Sequence, residues 1–451
     1  MNSLQRNVNL GLAAFTVLAM SVVPSLAQDA APAVDKTAAT APNVDYIFNT
    51  LLFLMGGFLV MWMAAGFAML EAGLVRTKNV AMQCTKNIAL YSIAGLMFWI
   101  VGYNLMYPGD SWVFAEYLGK FEPVTMPDPA QDTANSYATG SDWFLQMVFC
   151  ATTASIVSGT LAERIKLWPF LIFVIILTGF IYPIQGSWEW GAGWLDDMGF
   201  SDFAGSTLVH STGGWAALAG ALLLGARAGK FGPNGEIHPM PGSSMPLATL
   251  GTFILWLGWF GFNGGSQLAL GSLENASAVA KIFVNTNMAA AAGVVVAIVL
   301  TQVIYGKVDL TMALNGALAG LVSITAEPLT PAIWQAVLIG GVGGVIVVLT
   351  VPMLDKMRID DVVGAIPVHL FAGIWGTLIV AWTNTDVNIA VQAVGVAAVG
   401  VFVFVTSFVV WGILKVTIGL RPTLEEETDG LDKAEIGLEA YPEFGSGSQR
   451  I

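Results

Sequence analysis

Apolar residues gather in eleven long blocks, at about 46–75, 87–107, 143–162, 167–185, 205–226, 246–267, 277–305, 310–326, 332–354, 363–382 and 388–417. Nearly all reach the roughly 20 residues that a helix needs to cross the hydrocarbon core of a bilayer. The pattern predicts an all-α polytopic membrane protein with eleven transmembrane helices. The block at 310–326, short and Gly-rich, is the weakest of them, but the charge pattern needs it.

Short cytoplasmic loops collect Lys and Arg whereas external loops do not. Arg76, Lys78 and Lys86 follow the first block, Arg164 and Lys166 the third, Arg227 and Lys230 the fifth, Lys307 the seventh, and Lys356 and Arg358 the ninth. Lys415, Arg421, Lys433 and Arg450 follow the eleventh, while the alternate loops hold only Lys120 and Lys281 and Lys36 precedes the first block. An odd number of spans with the N-terminus outside and the C-terminus cytoplasmic satisfies this sorting. Arg6, the run LGLAAFTVLAMSVV and Ser25-Leu26-Ala27 read as a secretory signal peptide over 1–27. The expected organisation is then an external lead-in at 28–43, a membrane domain at 44–417 and a cytoplasmic tail at 418–451.

Composition agrees with the pattern: 55% hydrophobic residues, 11% charged and a mean hydropathy of +0.70 exclude an ordinary soluble domain. The net charge of -13 needs no nucleic acid or basic protein partner. Asp110, Glu116, Glu122, Asp128, Asp132, Asp142, Glu189, Asp196 and Asp197 all fall in the external loops, where acids either solvate loops or concentrate small cations. The two cysteines, Cys84 and Cys150, read as free thiols beside apolar runs rather than a disulfide, a metal pair or a nucleophile. No phosphate-binding loop and no HExxH motif occurs, so neither ATP hydrolysis, a metal nor a cofactor is expected, and the chain does not read as an enzyme.

Only three histidines occur, and His210 and His369 sit inside apolar blocks in matching V-H-x-x-x-G contexts. Ionisable residues at membrane depth are expensive and mark functional sites. The two fall in the fifth and tenth spans, and an odd five-span unit followed by another must be inverted, which places a site near the bilayer midplane between the halves. Facing neutral imidazoles can hydrogen-bond each other and still offer a nitrogen to a guest. A lone buried histidine bonded to a backbone carbonyl is the plainer alternative for either one.

The segments FAMLEAGLVRTKN, VSGTLAERIK, DFAGSTLVH, GWFGFNGGS, NTNMAAAAG, GALAGLVSITA and VGAIPVHLFAGIWG resemble those of the ammonium transporter (Amt) family, from about residue 45 to the C-terminus. The resemblance implies a homotrimer with one narrow pore per subunit, set in the inner (cytoplasmic) membrane and surrounded by membrane lipid. His210 and His369 match the twin histidines of that pore, and Phe149 and Phe262 the stacked rings at its external entrance. Trp190 and Ser266, together with Phe149, match the external ammonium recruitment site, with Trp259 packing near the pore. Asp202 matches a carboxylate that supports the site; alone, it reads equally as the cap of the fifth helix. Family members often carry an aromatic one turn before the outer phenylalanine, where this chain has Leu145. Trp188 and Trp194 read as core or interfacial aromatics, and Glu71 as a partner of Arg76 or Lys78.

The implied substrate is ammonium or ammonia, with methylammonium as its analogue. Gly419, Arg421, Gly430, Leu431, Asp432, Gly437 and Tyr441 match the family's cytoplasmic tail, on whose face a PII-type regulatory protein docks in many bacterial members. The alternative reading is an ammonium sensor that uses the same site and signals through this tail. After residue 417 about 34 residues remain, too few for a folded output domain, so transport leads.

Overall fold

The computed structural model describes residues 42–443, with the exception of 134. The signal-peptide reading of 1–27, nearly all of the lead-in and the last residues of the tail lie outside the described residues. Within them, ten helices are long and apolar enough to cross a membrane. They are α1 (Val44–Leu74), α2 (Thr77–Met106), α3 (Thr139–Thr160), α4 (Leu167–Ser187), α5 (Ser206–Leu224), α6 (Met245–Gly265), α7 (Leu273–Tyr305), α9 (Ile333–Lys356), α10 (Ile366–Thr383) and α11 (Ile389–Thr417). Between α7 and α9 lies the shorter apolar helix α8 (Leu310–Thr325). Its 16 residues extend about 24 Å, less than the ~30 Å hydrocarbon core. The eleven expected blocks thus become ten helices of spanning length and one short helix, buried from Met312 to Thr325 against its neighbours.

The second block begins about ten residues earlier than hydropathy predicts, and Lys86, expected in a cytoplasmic loop, is fully buried within α2. Its Nζ donates to Gln83 Oε1 and to Ser158 O, both at 2.9 Å, and lies 4.7 Å from the centre of the Phe170 ring. Two acceptors and an aromatic face satisfy the Lys86 amine inside the helix bundle. Lys281 likewise belongs to α7 rather than to a loop, and Lys415 to the last turn of α11.

Helices approach closely where small residues face each other, as they must when lipid is as apolar as the side chains themselves. The seam between α1 and α6 shows this: a Cβ on Gly73 would stand 2.4 Å from Ala248 N, and one on Gly251 2.3 Å from Leu70 N. Gly293 of α7 and Gly316 of α8 meet in the same way.

On the side holding the ends of α1, α3 and α9, charged groups that hydropathy assigns to loops are interlocked. Glu163 receives Arg76, whose backbone N donates at 2.8 Å and whose guanidinium pairs with the same carboxylate. Arg227 grips Asp360 through Nε and Nη2, each at 2.9 Å, while Arg164 donates to four backbone carbonyls. Against the effect of burial, Arg164 and Arg227 hold the Asp360 carboxyl well below the usual carboxylate range.

The tail folds over this face. A short helix, α12 (Leu424–Asp429), begins at a Thr423–Glu426 capping box. Lys78 donates to the carbonyls of Glu427 and Thr428, and Asn79 Oδ1 accepts Leu431 N at 2.9 Å. Asp432 accepts Ala81 N and Met82 N at 3.0 and 2.7 Å, and Glu435 accepts Leu167 N at 3.0 Å. Two tail carboxylates therefore cap the starts of α2 and α4, where orphan N–H groups and the helix dipole favour negative charge.

Candidate functional site: a histidine pair beneath stacked aromatic rings

Both histidines stand in helix starts of the same construction. Asp202 precedes His210 by the same eight positions that separate Asp361 from His369, and each acid is followed three residues later by a glycine, Gly205 or Gly364. Those glycines have φ of +101° and +80°, a left-handed backbone that costs glycine little. Each is followed by a π-helical turn, Ser206–Ser211 and Ile366–Phe371. Turns of this kind are rare and recur at functional sites. The acids hold these starts in place. Asp202 Oδ1 accepts Gly205 N and Ser206 N at 3.0 and 2.7 Å, and Oδ2 accepts Thr207 N and Leu208 N at 2.7 and 2.9 Å. Asp361 accepts Ile366 N at 2.7 Å and the Thr160 hydroxyl at 3.0 Å. Sequence reasoning passed over Asp361, although the shared D-x-x-G-x-x-x-V-H pattern would have found it.

The two turns bring the imidazoles together. His210 Nδ1 lies 3.2 Å from His369 Nδ1, with the ring planes 16° apart. A hydrogen bond between these atoms requires one to donate and the other to accept, leaving both Nε2 atoms free of the pair; His210 Nε2 is buried without a protein partner. Trp259 stacks on His210 at 4.8 Å between centroids, and its Nε1 donates to Thr325 Oγ1 at 2.8 Å, which fixes the indole. Phe67 lies 6.2 Å from His369 on the other side.

Phe262 covers His210 at 5.2 Å between centroids and is stacked on Phe149 at 3.9 Å with a 16° interplanar angle. Both rings are buried, so two nearly parallel phenyl rings lie packed against the histidine pair. Trp190 meets Phe149 edge-on at 6.2 Å, its Nε1 bonded to Asp202 O at 3.0 Å. One turn beyond Phe262, the Ser266 hydroxyl donates to Phe262 O at 2.9 Å, which leaves its oxygen lone pairs available as acceptors. Leu145 is buried against α6 beside Gly265.

Electrostatics at this end rest on a pair of acids. Burial pushes the Asp202 carboxyl up to about 6, against the four backbone N–H groups that lower it. Burial and the neighbouring Asp202 push Glu189 well above the usual carboxylate range, and Glu189 Oε1 accepts Asp202 N at 2.7 Å. The two neighbouring carboxyls therefore oppose each other's ionisation. Glu71 departs from expectation: Arg76 and Lys78 are engaged elsewhere, and its Oε2 accepts Gln83 Nε2, Asn87 Nδ2 and Ser158 Oγ at 2.6, 2.9 and 2.8 Å.

A family model described as Ammonium Transporter Family matches residues 51–441. The Archaeoglobus fulgidus ammonium transporter Amt2 is 42% identical over 432 residues, covering 89% of this chain and 89% of its own length. Among solved structures, one described as "Sensor Amt Protein" superposes with a TM-score of 0.81 at 34% identity, covering 88% of this chain and 100% of that one. Candida albicans Mep2 superposes with a TM-score of 0.74 at 26% identity, covering 90% and 92%. Matches that run through nearly the whole of both partners take in the paired helix starts and the rings above them together, and the chain belongs to the ammonium transporter family.

Proposed function

We propose that this chain carries ammonium across the membrane, through a pore in each subunit that ammonia crosses as the neutral molecule. The carrying observation is the His210–His369 pair lying directly beneath the Phe149–Phe262 stack. A cation over aromatic faces gains about 0.5–2 kcal/mol, depending on desolvation, so Trp190, Phe149 and the Ser266 oxygen form the external recruitment site. Ammonium can surrender a proton there and pass the rings as ammonia, whereas potassium must carry its charge into an apolar bore. The histidines offer hydrogen-bonding nitrogens along that bore and a route for the proton; Trp259 orients His210, and Asp202 holds the α5 start beneath the recruitment site.

We assign eleven membrane helices in two inverted five-helix halves, counting α8. The matching acid–glycine–histidine starts of α5 and α10 support this, as does the loop charge. The same reading places the N-terminus outside and the C-terminus in the cytoplasm of a bacterial inner membrane, in a homotrimer whose tail face receives a PII-type protein. The test is current across a solid-supported membrane bearing proteoliposomes after an ammonium jump, with potassium as control. The expected result is an ammonium-specific transient that the His210→Ala, His369→Ala double variant loses. If the double variant keeps both the current and the exclusion of potassium, the histidine pore is wrong. Ammonium binding without current or internal alkalinisation would make the chain a sensor.

A further inference from the structure

Beyond His369, away from the phenyl rings, a small cavity opens whose lining includes Phe67, Glu71, Ser155, Asn315, Val363 and His369. The volume open to the centre of a water-sized guest is about 10 Å³, room for one water or one ammonium ion. Glu71 is 1% exposed, and while its Oε2 is saturated by three donors, its Oε1 is buried without a partner. That oxygen faces the cavity beside Gly159, whose Cβ would stand 3.5 Å from it. Lys86 Nζ is hydrogen-bonded to Gln83 Oε1 and Ser158 O and makes no hydrogen bond to Glu71, on which it acts through space.

We propose that Glu71 Oε1 is a second, inner binding station for ammonium, at the far end of the path from the aromatic site. The inference rests on the transport reading above. An ionised carboxylate oxygen only accepts hydrogen bonds, so its guest must be a donor. A buried acceptor left without one costs free energy comparable to a lost hydrogen bond. Among guests of this size, ammonium both donates and neutralises, and charge-assisted bonds are roughly twice as strong as neutral ones. The station thus gives the substrate an anionic partner on the side where it regains its charge, which no other residue lining the cavity offers.

Glu71→Gln keeps the side-chain shape and removes the charge. In the proteoliposomes described above, the half-saturating ammonium concentration should rise about tenfold, the equivalent of one charge-assisted bond traded for a neutral one. The thermal midpoint and the oligomer's elution volume should match those of the parent protein. An unchanged concentration dependence in vesicles whose parent protein conducts overturns this site and leaves the transport reading intact. Loss of current that tracks loss of thermal stability makes Glu71 a scaffold residue and also overturns it. If Glu71→Gln does not fold, Glu71→Asp decides, because it keeps the charge but withdraws the oxygen from the cavity; full parental behaviour there overturns the station. A silent parent protein would sink the transport reading, and this site with it.

Discussion

Asp202→Asn isolates the energetics of one buried carboxyl from those of the rest of the protein. The unfolded chain ionises this group near the ordinary value of 3.8, whereas burial delays ionisation in the folded chain to about 6. Between those values the unfolded state has shed the proton that the folded state still holds, so stability falls as the pH rises. Below 3.8 both states are protonated, and above about 6 the loss is complete. The interval between the two values corresponds to about 3 kcal/mol. In the asparagine variant this contribution does not titrate. Asparagine has one oxygen for four N–H donors, so two of the bonds from Gly205, Ser206, Thr207 and Leu208 lose their acceptor, at about 1–3 kcal/mol each. That loss is independent of pH. Thermal unfolding of both proteins in detergent at four values between pH 4 and 7.5 supplies the difference curve. The parent protein's advantage should be greatest at the acidic end and shrink by about 3 kcal/mol by neutral pH. Parallel curves would show that burial does not raise the Asp202 carboxyl, and the titration assigned to this group would be wrong.

Asp360→Asn leaves Arg164 without its carboxylate and Arg227 with Glu163 alone, and breaking a buried pair this way costs about 3–5 kcal/mol. Because the Asp360 carboxyl is held below its ordinary 3.8, its contribution is present above that pH and lost below it, so the variant and parent midpoints should converge in strong acid; a constant gap refutes the pairing. Gly73→Val puts a branched side chain where a Cβ alone would meet Ala248 N at 2.4 Å. It should separate α1 from α6 and cost at least about 1–3 kcal/mol by overpacking, read as a lower thermal midpoint; an unchanged midpoint would mean that the seam is not close-packed.

Hydropathy made the helices legible because most of them are apolar throughout, and it placed His210 and His369 because ionisable groups stand out against such a background. It failed at Lys86 for a physical reason: a windowed average treats a lysine as water-seeking, and the acceptors that shelter it, Gln83 Oε1 and Ser158 O, are supplied partly by another helix. Glu71 was misassigned in the same way, since sequence proximity to Arg76 and Lys78 says nothing of their partners, Glu163 and the tail carbonyls. Asp361 is legible only by laying the stretch before His369 beside the one before His210, since an acid in a loop does not by itself mark a helix start. Leu145 lies in the sequence for anyone to see, but its burial against α6 depends on packing that no local pattern encodes.

The docking of Leu431 and Asp432 onto Asn79, Ala81 and Met82 joins positions some 350 residues apart. The chain leaves the ribosome at about 5–20 residues per second, and its parts begin to fold in the order of their synthesis. The start of α2 must therefore wait for almost the entire polypeptide before its N–H groups receive their final acceptors. For that interval the face on which the tail docks is an unfinished surface, and a chain that stops before Leu431 never completes it. The docked tail thus ties the start of α2 to a segment made only after all the intervening helices, so this face is among the last parts of the described fold to be completed.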